Sequence, residues 1–156
     1  MNDQRFLELS AGYLGEYARK IRKSVEGLPE QQIWWRPNDA SNSIANLLLH
    51  LCGNLSQWVL ASLGGMAYTR QRDAEFSARG GTAKAALLTR LDEVVASCQG
   101  VIRELPAEQL LARRQIQGDD VDGVEAIYHA VEHMSYHTGQ IASFAKELAS
   151  RNLDLD

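Results

Sequence analysis

The chain has 156 residues, 45% apolar and 23% charged, with a formal net charge of −4. These values fit a single globular domain over 1–156 and exclude a disordered or fibrous chain. They supply no cationic excess for nucleic acid or an anionic membrane surface.

The N-terminal segment MNDQRFLELS has no basic region followed by an apolar core, so no signal peptide is expected. A first helix is predicted over 4–24. It closes on the basic run Arg19-Lys20-Ile21-Arg22-Lys23, where cations suit the helix dipole, and stops near Gly27-Leu28-Pro29. The linker 30-EQQIWWRPND-39 carries two adjacent tryptophans, Trp34 and Trp35. A second helix starts at Ser41-Asn42-Ser43, whose side chains can cap it, and ends at Gly64-Gly65. The uncharged segment 40–69 holds three asparagines, a glutamine and a histidine, which reads as a buried helix running into a loop, not a membrane span.

The loop 66-MAYTRQRDAEFSARGG-81 follows, and its charges Arg72, Asp73 and Glu75 read as solvated. A third helix begins near Thr82, read as its cap, and ends before Pro106. A shorter helical piece spans 107–112, 117–123 is a loop, and a fourth long helix runs to about residue 150. No stretch alternates as a strand does, so little or no sheet is expected. The sequence therefore predicts an all-α four-helix bundle with long connections, of the size that frames a pocket or crosses over. The two cysteines, Cys52 and Cys98, fit no pairing pattern and read as free buried thiols in a reducing cytoplasm. Leu49 and Leu60 lie away from the core stripe of the second helix, which points to a homodimer surface.

The chemistry concentrates in the histidines. His129, His133 and His137 follow one another at intervals of four on the last helix. Each such step turns about 40° around the helix axis. His137 falls in the apolar stripe of Ala126, Ile127, Ala130, Met134, Ile141, Phe144, Ala145 and Leu148. His133 lies toward its edge, with Gln140 beyond, and His129 at the rim. On the second helix His50 lines up with Asn46 and Asn54, with Gln57 close by. Residues i and i+4 face one ion, so His133 and His137, with His50 as a third histidine on another core helix, could hold a metal. A core satisfied by hydrogen bonds from amides and tyrosines is the alternative reading. The zincin motif is excluded, because Met134 follows His133 where that motif needs glutamate.

The blocks 42-NSIANLLLHLCGNLSQW-58 and 133-HMSYHTGQI-141 resemble the DinB/YfiT-like superfamily. The resemblance implies a four-helix bundle with a metal site at one end, built from one histidine of helix two and a His-x-x-x-His pair of helix four. Carried onto this sequence, these are His50, His133 and His137. It also implies a divalent ion, zinc or nickel, and a small-molecule substrate. Characterised relatives include metal-dependent thiol transferases and a thiol-dependent isomerase, while many members have no known activity. The expected function is transfer of a low-molecular-weight thiol to a small electrophile. The alternative is a non-catalytic, metal-stabilised dimeric binding protein, since no positioned general base is evident. Asn46, Asn54 and Gln140 are candidates to orient ligands or substrate, Trp58 with Trp34 and Trp35 to line the pocket, and His129 reads as a surface residue.

Overall fold

The computed structural model describes residues 3–150. Helix α1 (Asp3–Val25) buries Leu7, Ala11, Leu14, Ala18, Ile21 and Val25, the three-and-four spacing of one helix face. Helix α2 (Ile44–Leu55) runs without a break into a π-helical turn, Ser56–Ala61. Helix α3 (Arg72–Ser77) is short and sits in the connection to α4 (Lys84–Arg103). Helix α5 (Ala107–Leu110) and the strands β1 (Arg114–Ile116) and β2 (Asp119–Val121) precede α6 (Gly123–Ser150). The long helices α1, α2, α4 and α6 form the expected bundle. Helices α1 and α2 stand at opposite corners, each packed against both α4 and α6.

Helix α2 is the most enclosed element. Its side chains Ile44, Leu48, Leu51 and Leu55 are almost fully buried, and so are Asn46, His50 and Asn54 on its polar flank. The segment Ile44–Ala61 is long and apolar enough to cross a membrane, but 83% of it is buried inside the bundle. Much of its second apolar flank is covered within the chain: Leu60 is buried and Leu49 partly so.

Three local expectations are corrected. The loop 66–81 contains α3, too short for its periodicity to register in sequence. The connection before α6 forms an antiparallel hairpin, with Ile116 opposite Asp119. Its two-residue turn, Gln117-Gly118, takes positive φ at both positions (56° and 93°), the twist that closes a tight hairpin. Thr82 does not cap α4. Ala83 stands at that position with no side-chain cap, and the Glu30 carboxylate accepts from the Lys84 amide at 2.7 Å instead.

Candidate metal centre

Ser43 begins the construction of the site. Its hydroxyl accepts from the Asn46 amide, and the Asn46 side chain accepts from the Ser43 amide, a reciprocal cap that fixes where α2 starts. His50 then falls two turns into the helix on its buried polar flank. From α6, His133 and His137 project one turn apart toward the same point. One ring nitrogen from each of His50, His133 and His137 lies within 4.8 Å of the other two. The Nε2 atoms of His50 and His133 are 3.0 Å apart, and those of His137 and His133 are 3.2 Å apart. Nitrogens bound to one tetrahedral zinc ion stand roughly 3.3 Å apart, from Zn–N bonds of about 2.0–2.1 Å.

The donors are also in the required protonation state. Burial, reinforced by the Arg70 charge, pushes the pKa of His50 down to about 3. Burial and the neighbouring His137 take His133 down to about 3 as well. Burial lowers His137 too, against a hydrogen bond to Gln140 that raises it. Three neutral imidazoles converging through Nε2 fit a divalent first-row ion. The Gln140 Oε1 atom lies 2.6 Å from His137 Nδ1, an acceptor that places the proton on Nδ1 and leaves Nε2 its lone pair. The Nδ1 atom of His133 is buried without a partner.

The remaining sequence candidates divide. Gln140 touches the cluster directly. Asn46 does not: its amide donates to the carbonyls of Glu75 and Ala78, at 2.9 and 3.0 Å, and ties the 66–81 connection to α2. Asn54 Nδ2 lies 3.2 Å from His129 Nε2. Trp58 packs against the His129 ring, with centroids 3.9 Å apart and planes tilted by 33°. His129 is therefore not a free surface residue. It is partly buried, one turn from His133, between Asn54 and Trp58. The buried Asn54 Oδ1 and Trp58 Nε1 atoms have no partner. Trp34 donates to the Thr82 carbonyl at the start of α4, and Trp35 packs against Phe144.

Glu75 overturns the solvated reading of its loop. It is buried, with Oε2 3.0 Å from His50 Nδ1, while Arg72 and Asp73 are exposed. Arg70 pairs with both carboxylate oxygens at 2.8 Å. The sequence carries no periodic signal that turns Glu75 inward. A groove of about 640 Å³ opens beside His137 and Gln140, lined also by Pro37, Leu47, Phe144, Ser41, Asn42 and Tyr136.

The profile of a family described as a protein of unknown function, DUF1572, matches residues 2–155. The chain belongs to the DUF1572 family. No curated protein matches this DUF1572 member. Among solved structures it is similar to a DinB-like protein, YjoA, from Bacillus subtilis. The two share 17% identity at a TM-score of 0.62, over 99% of this chain and 97% of that one. At that identity the likeness establishes the fold, and the fold is DinB-like, as the two sequence blocks imply.

Proposed function

We propose that this protein is a metal-dependent enzyme that transfers a low-molecular-weight thiol to a small electrophile, with His50, His133 and His137 holding a zinc or nickel ion. The observation that carries the reading is the convergence of three imidazole nitrogens within 4.8 Å, with His133 Nε2 3.0 Å from His50 Nε2 and 3.2 Å from His137 Nε2. When bound, a divalent ion on neutral ligands keeps its charge and makes a thiol or water nucleophilic near neutral pH. The chain's own contribution is positioning. Gln140 fixes the ring of His137, and the adjacent groove offers apolar side chains together with hydroxyl and amide groups. Among the described residues its lining holds no lysine or arginine, and Glu147 is the one charged side chain there, which favours an uncharged, aryl-bearing electrophile over an anion. The two thiols of the chain, Cys52 and Cys98, are free and buried, which supports a reducing, cytoplasmic setting.

Elemental analysis of the purified protein tests the first half. Close to one equivalent of zinc or nickel is expected, lost in His137→Ala, and less than a tenth of an equivalent overturns the reading. A panel of thiols with a chloro-aromatic acceptor tests the second half, where metal-dependent turnover is expected. Silence across the panel with metal bound moves the reading to a metal-stabilised homodimeric binding protein. Exposed Tyr13, Tyr128 and Tyr136 on α1 and α6 favour that second reading, and light scattering in solution tests it.

A further inference from the structure

We infer that Glu75, clamped by Arg70, is the positioning residue for His50. Its carboxylate holds the His50 proton on Nδ1 and leaves the Nε2 lone pair facing His133 and His137. The inference rests on the proposed metal site only for its consequence in affinity.

His50 Nδ1 has two neighbours that ask for opposite tautomers. Glu75 Oε2, an acceptor, lies 3.0 Å away, and Arg70 Nη2, a donor, also lies 3.0 Å away. The hydrogens of Arg70 decide between them. Nε donates to Glu75 Oε1 and Nη2 to Oε2, both at 2.8 Å, and Nη1 donates to Gln57 Oε1 at 3.1 Å. The second Nη2 hydrogen reaches the His50 carbonyl at 3.4 Å. Each of these hydrogens thus has an acceptor other than Nδ1. An unprotonated Nδ1 would set a lone pair against a carboxylate oxygen at 3.0 Å inside the protein, where that repulsion is poorly screened. With the proton on Nδ1, both neighbouring donors converge on the charged oxygen and the conflict disappears.

The site is built to receive this carboxylate. The Glu75 and Arg70 side chains are 9% and 5% exposed. The Asn46 amide holds the Glu75 carbonyl, so the backbone as well as the side chain is fixed. Gly53, one turn beyond His50, leaves the space: a Cβ there would lie 1.9 Å from Glu75 Oε1. That oxygen cannot swing aside cheaply, because Arg70 pins it. A carboxylate behind a metal-binding imidazole orients the ring and raises its basicity, and its loss typically costs 10- to 100-fold in metal affinity.

Nitrogen-resolved NMR of the metal-free, full-length protein reads the tautomer directly. His50 should carry its proton on Nδ1 in the wild type and shift toward Nε2–H in Glu75→Ala. Zinc competition against a chelator should then show about a 10- to 100-fold loss in Glu75→Ala. The loss should be smaller in Glu75→Gln, which keeps an acceptor oxygen but not the ion pair. Gly53→Ala is the independent variant. Helix propensity alone would raise its melting temperature and leave zinc affinity alone, whereas displacement of Glu75 lowers the affinity and moves the tautomer. An Nδ1–H signal that survives in both Glu75→Ala and Gly53→Ala overturns the inference. If Glu75→Ala does not fold, Gly53→Ala and Glu75→Gln decide. If the wild type binds no zinc or nickel, the proposed function fails, while the tautomer still decides the role of Glu75.

Discussion

An imidazole stripped of water at the heart of a bundle holds a proton poorly, and this shapes the acid response of the whole protein. His50 and His133 titrate at about 3 in the folded chain, against an ordinary value of 6.5. Between those two values the unfolded chain takes up protons that the folded chain refuses. Stability therefore rises with pH across that window and is lost as the solution is acidified through it. The melting temperature of metal-free protein should fall steadily from pH 6.5 toward 4 and stay nearly level from 7 to 8. His133→Gln should flatten the acidic arm, and an unchanged slope would mean His133 is not held neutral. At the same scale, Gln140→Leu removes the acceptor 2.6 Å from His137 Nδ1. About a tenfold loss of zinc affinity with little change in melting temperature is expected by chelator competition. The three histidines were legible because helical periodicity turns His133 and His137 inward and sets His50 in a polar row, and the family resemblance then joins them as one ligand set. Glu75 was not, because a lone carboxylate in a charged loop has no period, and only Arg70 and Gly53 give it a buried place.

Elements are positioned here by bonds that local sequence partly hides. Ser43 was readable as a cap because capping acts within one turn. The second role of Asn46, reaching the carbonyls of Glu75 and Ala78, depends on where the chain returns some thirty residues later. The start of α4 has the same character, since its distant cap Glu30 lies 54 positions upstream. Asn46→Ala should remove one arm of the cap and the clamp on α3 together. A cap alone is worth about 1 kcal/mol, and the buried Glu75 carbonyl left without its amide adds to the loss. Amide exchange should quicken over 72–78 more than over α1 or α4. Uniform acceleration across the bundle would show that Asn46 acts on α2 alone.

At the scale of the whole molecule, the four-helix architecture was legible because each long helix carries its own apolar stripe, and the stripes leave few ways to close a core. The hairpin before α6 was not, because three-residue strands are too short for alternation to show. The enclosed core also bears on chemistry. Burial raises both thiols, Cys52 and Cys98, to about 12. At neutral pH a thiol with that value is ionised in about one molecule in 10⁵, and the thiolate is the nucleophile. Buried and held away from ionisation, neither cysteine is placed to attack, so the proposed thiol transfer would draw its sulfur from a bound substrate. Native protein should release no colour with an aromatic disulfide reagent over many minutes at pH 7, and two equivalents once unfolded in guanidinium. A thiol that reacts in the native state would place a nucleophile in the chain itself. Without added thiol that cysteine would then be arylated once per chain, with release of one equivalent of chloride, and no further product would form.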